Sequence, residues 1–140
     1  MVEEFNGILY LGLYLIILLG TAYYTYSTLF QTDKFLEKYG IDQSGAFMIR
    51  FAGTFLIPFV LLMVYMLFTS ISGNWIIFVY GFLQALTATI VGYWTVEKSH
   101  YKTISGEKVS AEGYIAPLGF TIAWLIVIYG TSAMIYSKKI

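Results

Sequence analysis

Few side chains in this 140-residue chain could do chemistry in an apolar setting, and they lie far apart: Arg50, Gln84, Glu97, His100 and Glu112. Arg50 stands about two turns past Asp42, inside the apolar run 46–68. A fixed charge there is costly unless it finds a partner or snorkels to the surface. Three counter-charges are open to it: a structural pair with Glu97 or Glu112 (or hydrogen bonds between helices), a lipid phosphate, or an anionic ligand. Gln84 lies midway between Trp75 and Trp94. It can serve an interhelical hydrogen bond or touch a ligand. His100 falls in a polar loop and reads as solvated, a metal or proton-transfer role being the lesser reading. No acid lies inside an apolar run, so the intramembrane carboxylate usual in a proton-coupled carrier is missing. No paired acid and base is visible for a lipid-modifying enzyme. With no cysteine and one histidine, thiolate zinc, iron–sulfur and bis-histidine haem sites are excluded for this chain alone. We therefore expect no catalytic, cofactor-binding or metal residues, and no cofactor.

The elements that position these residues are apolar runs of membrane-spanning length. About 20 apolar residues at 1.5 Å rise match a hydrocarbon core of roughly 30 Å, and only a helix satisfies its own backbone there. Four such runs occur, about 8–30, 46–68, 75–94 and 114–136, with polar loops at 31–45 and 97–113. The fold expected is an all-α integral membrane protein, a four-transmembrane-helix bundle built from antiparallel hairpins. Composition agrees: 59% of residues are hydrophobic and 11% charged, against about 25% charged in soluble domains. The formal net charge of zero invites neither nucleic acid nor an acidic-tail partner. The first run follows Glu3 and Glu4 without a basic flank, so it reads as a span and not as a removable signal.

Within the runs, Tyr10, Tyr14, Thr21, Thr25 and Thr28 share one broad face that should turn toward protein and be satisfied between helices. Thr32 is expected to cap a short interfacial helix over 33–39, with Lys34 and Lys38 toward headgroups. Gly40 should stop it in a left-handed conformation, and Asp42 should cap the next span. Pro58 predicts a kink, and Gly53 permits close helix contact. Ser70–Asn74 reads as a tight turn joining spans two and three. Gly81, Ala85, Ala88 and Gly92, at intervals of four, three and four, form a small-residue packing face with Gln84 at its edge. In the second loop, Tyr101–Ile104 and Glu107–Ser110 flank Ser105-Gly106, a two-residue hairpin turn. Pro117 fits the first turn of the last span. Gly119, Ala123 and Gly130 suggest another close-packing face, and Lys138 and Lys139 anchor the end.

Lys34, Lys38, Lys98, Lys102 and Lys108, with Arg50 near them, fall on one side, against Lys138 and Lys139 opposite. That distribution puts both polar loops in the cytoplasm and both termini outside. The location expected is a bacterial inner membrane. Residues Phe35-Leu36-Glu37-Lys38-Tyr39-Gly40-Ile41, then Ala46 and Arg50-Phe51-Ala52-Gly53, resemble small four-helix bacterial membrane proteins of the DoxX-like kind. The resemblance implies the four-helix architecture and carries no function or site residues.

These features point first to an accessory or structural subunit of a larger membrane complex. Its partners would be membrane lipids and other membrane subunits or a second copy, and its interaction residues Arg50, Gly81, Gln84, Ala85, Ala88, Gly92, Glu97 and Glu112. The alternative is a small homo-oligomeric channel or carrier for a small or anionic solute, lined by Arg50, Gln84 and the tyrosines of the first span.

Overall fold

A computed structural model describes residues 1–137 of the chain; the anchoring expected of Lys138 and Lys139 lies outside the described residues. Five α-helices follow one another: α1 (Ile8–Phe30), α2 (Thr32–Tyr39), α3 (Ala46–Phe68), α4 (Trp75–Tyr93) and α5 (Glu112–Ile135). Four are long and apolar enough to cross a membrane, each continuing the hydropathic run that predicted it. There is no strand among the described residues.

α1 packs along α3 and α5, and α4 packs along α5. α3 and α4, though joined by the shortest connection between long helices, meet chiefly through Phe59, whose ring lies 5.3 Å from that of Tyr80. The turn between them explains this departure from a closely packed hairpin. Ile71 is buried, the Gly73 N–H donates to the Met134 carbonyl at 3.2 Å, and Ser72 Oγ lies 2.5 Å from Ser137 Oγ. The turn is thereby docked onto the end of α5 instead of pinching α3 against α4.

An aromatic cluster joins the helices at the core. The Tyr14 ring of α1 lies 5.7 Å from Phe78 of α4 and 6.1 Å from Trp124 of α5, with Phe59 of α3 6.2 Å from Trp124. Phe5, fully buried, folds back to 4.8 Å from Tyr14, and the Asn6 side chain donates to the Gly130 carbonyl at 2.9 Å. Aromatic pairs of this kind contribute roughly 0.5–1.5 kcal/mol beyond their burial. The Tyr14 hydroxyl donates across to the Met63 carbonyl at 2.9 Å, so the polar end of a buried ring is satisfied.

Glycines set the close approaches. A Cβ on Gly53 would strike Thr28 and Leu29, on Gly20 the ring of Phe120, and on Gly130 the ring of Tyr10, whereas Gly119 faces open space. Of the face expected on the last span, Gly130 makes a close approach and Ala123 packs against the core, while Gly119 takes no part. The face of α1 that carries Tyr10, Tyr14, Thr21, Thr25 and Thr28 turns inward as expected, with Tyr14, Thr25 and Thr28 buried and Tyr10 and Thr21 partly so, whereas Tyr23, Tyr24 and Tyr26 point outward. Its threonines are not satisfied between helices, however. Thr21, Thr25, Thr28 and Thr32 each donate to a carbonyl three or four residues earlier, at 2.7–2.9 Å, because a short hydroxyl reaches its own helix backbone more readily than a neighbouring helix. That also removes Thr32 from its expected capping role, which no side chain takes at α2.

Candidate functional site

The two polar loops come together at one end of the helices. α2 is amphipathic, burying Phe35 and Leu36, and it ends where Gly40 takes a left-handed conformation at φ 61°. There the Gly40 N–H donates to Glu37 and the Ile41 N–H to Leu36, a Schellman stop. Asp42 then accepts from the Ser44 N–H at 2.9 Å and opens a single 3-10 turn into α3. The Gly40 carbonyl, left free by this geometry, accepts from the Ile104 N–H at 2.9 Å. One loop is thus stitched to the other.

Ile104 belongs to the turn of a minimal hairpin. Lys102 and Lys108 form a single antiparallel bridge, the Gly106 N–H donates to Thr103 and the Thr103 N–H to Glu107. Gly106 sits at φ 81°. The connection is therefore three residues long, Ile104 to Gly106, closed by a left-handed glycine, and not the two-residue turn expected at Ser105-Gly106.

The acids expected to neutralise Arg50 find other partners in this cap. Glu112, in the first turn of α5, lies 3.2 Å from Lys38 Nζ and accepts from the Tyr39 hydroxyl at 2.8 Å. Glu97 lies 2.6 Å from Lys108 Nζ and accepts from the Tyr114 hydroxyl at 3.2 Å. A π-helical turn over Trp94–Lys98, closed by the Ser99 N–H on the Trp94 carbonyl, carries Glu97 at the end of α4. Hydrogen bonding to Tyr39 and then Glu112 holds the Lys38 ammonium above the usual lysine range, and burial followed by the Glu112 contact raises the Tyr39 phenol. Glu97 raises Lys108 likewise. Arg50 is exposed on α3 and makes no ion pair among the described residues. The Arg50 pair fails because the lysines and tyrosines of the docked loops reach both carboxylates. Sequence separations as long as the 73 positions between Tyr39 and Glu112 gave no local signal for these partners.

The small-residue stripe of α4 divides between two directions. A Cβ on Gly81 would collide with Trp124 and Phe59, and one on Gly92 with the Gly113 backbone; Ala85 is partly buried against the core. Ala88 is exposed, and with Gln84, Tyr80, Leu83, Thr87 and Val91 it lines an open hollow on the outer side of α4. Among the described residues the Gln84 amide has no hydrogen-bond partner. The only side-chain hydrogen bond from α4 to α5 that these residues contain is Thr89 to Thr121 at 3.3 Å, a pair the sequence reading missed. The His100 ring lies tilted 4.7 Å from that of Tyr101 in the exposed loop.

The arrangement offers helix-packing surfaces and a polar clasp. No family model matches this chain, and no curated protein or solved structure was found to be similar to it.

Proposed function

We propose that the chain is an accessory or structural subunit of a larger membrane complex, its four long helices inserted as a four-helix bundle and its outer α4 face packed against a partner span. One observation carries this reading: Gln84, midway along α4, presents an amide on the outer side of its helix with no partner among the described residues. In hydrocarbon such an amide is costly until another helix supplies donor and acceptor. Ala88 beside it lets a second backbone come close. The lysine distribution supports both polar loops in the cytoplasm and both termini outside, and the membrane we propose is a bacterial inner membrane; pairing with acids does not cancel the lysine bias, since acidic residues count little in that rule.

Gentle solubilisation followed by mass measurement of the intact assembly tests the reading. A heterologous membrane partner that Gln84→Leu releases, with the chain itself still folded, is the expected result. A homo-oligomer alone would favour the channel or carrier, and a monomer at all detergent concentrations would remove the subunit reading.

A further inference from the structure

We propose that Arg50 and the groove between α3 and α4 form a binding site for one anionic phospholipid, the phosphate on the guanidinium and an acyl chain along the groove. The inference rests on the reading of the long helices as membrane spans.

On α3, Phe47, Phe51, Phe55, Pro58 and Leu62 recur at intervals of four, four, three and four, which places them on one stripe of helix surface. All five are exposed. The Phe47 and Phe51 rings stack at 5.9 Å, and Phe51 meets Phe55 edge to face at 5.0 Å. At its lower end the stripe becomes a groove: Phe55, Pro58 and Leu62 face Ile76, Ile77 and Tyr80 of α4 across a volume of about 300 Å³. The groove lies where the docked 69–74 turn leaves α3 and α4 meeting chiefly through Phe59.

Arg50 sits at the upper edge of the stripe, three residues past Phe47. Among the described residues Arg50 forms no ion pair, while Glu97 is held by Lys108 and Tyr114, Glu112 by Lys38 and Tyr39, and Asp42 by the Ser44 N–H, so the exposed guanidinium is open to an anion from outside the chain. A planar guanidinium presents a fork of donors suited to phosphate oxygens. From Arg50 to Leu62 the helix rises about 18 Å, close to the roughly 15 Å of hydrocarbon in one leaflet. The order of groups is that of a phospholipid: a cation beside the polar loops, then a hydrocarbon surface leading inward. No charged side chain lines the groove, so a peptide laid there would leave its backbone unsatisfied, whereas an acyl chain has nothing to satisfy.

The test reconstitutes the full chain into vesicles of equal phosphatidylglycerol and phosphatidylcholine, extracts it in mild detergent and counts retained lipid by native mass spectrometry. One phosphatidylglycerol per chain is expected. Arg50→Gln should lower retention about tenfold, as loss of a charge-assisted contact does, and Leu62→Trp should lower it by filling the groove with the charge intact. Equal retention of both lipids, or retention unchanged in Arg50→Gln, would overturn the site. So would complete displacement by excess inorganic phosphate, which would mark a free-anion site. Flotation of each variant with the vesicles separates the two layers of the argument: failure of the wild type to float removes the membrane reading and this site with it, whereas flotation without lipid preference removes the site alone.

Discussion

A Cβ on Gly92 of α4 would run into the carbonyl oxygen of Gly113 in the first turn of α5, the carbonyl from which Pro117 withholds the usual helical N–H. α5 begins at Glu112, earlier than the hydropathic run suggests, so Pro117 falls in the second turn and leaves that oxygen without its i+4 donor. Two backbones meet there with nothing between them. Gly92→Ala should therefore loosen α4 from α5 by about 1–3 kcal/mol, the ordinary cost of overpacking, and Gly81→Leu, against Trp124, by at least as much. Ala88→Leu, on the open outer side of α4, should leave the stability of the isolated chain within about 0.5 kcal/mol and act only on partner association. Unfolding of each variant in detergent checks the ranking, and equal losses at positions 88 and 92 would contradict it.

Charge pairing gives a second expectation. Double-mutant cycles should find coupling between Lys108 and Glu97 and none between Arg50 and either Glu97 or Glu112, since groups that share no contact are additive. Measured coupling of Arg50 to one of these acids would place the guanidinium inside the cap.

The clasp between the loops should open in alkali. Lys38 and Tyr39 both hold their protons more tightly in the folded chain than in the unfolded one. Their contribution is complete below their ordinary values, about 10, and is lost as the pH rises through the raised ones. Limited proteolysis of the 97–113 loop in reconstituted protein should stay slow to about pH 10 and accelerate above it, while Glu112→Gln, which removes the carboxylate from both contacts, should cleave faster already at neutral pH. A flat rate through pH 11 for the native chain would contradict the assignment.

Orientation can be read with introduced thiols, because the chain has no cysteine of its own. An impermeant reagent added to intact cells should label a cysteine at position 2 and spare one at 106. Labelling at 106 alone would invert the topology.

The long helices were legible because span length and hydropathy are local properties. The runs predicted at 8–30 and 46–68 are the observed limits of α1 and α3. The Gly40 stop was equally readable and the Asp42 cap in part, each resting on a residue whose chemistry acts within a few positions: Asp42 caps the 3-10 turn that leads into α3, whose own start has no side-chain cap. The partners of the functional side chains were not. Lys38 read as a headgroup ligand until Gly40 and Ile104 joined the loops and brought Glu112 into reach. Nor could the spacing of Gly81, Ala85, Ala88 and Gly92 tell which edge of the stripe meets Trp124; one helical period is compatible with either neighbour, and the docked turn at 69–74 decides between them. Pro58 lies within α3, which is helical on both sides of it.

The seating of Phe5 has a consequence for biosynthesis. Its ring lies 4.8 Å from that of Tyr14, which meets Trp124 edge to face at 6.1 Å, and its neighbour Asn6 is tied to Gly130, 124 positions downstream. Contacts so distant in sequence form late, since the ribosome must first deliver both ends. Until α5 is made, Asn6 and Tyr10 lack Gly130 and Tyr14 lacks Trp124, and a chain halted after α4 would present that unfilled seam to whatever membrane chaperone or quality-control protease meets it first.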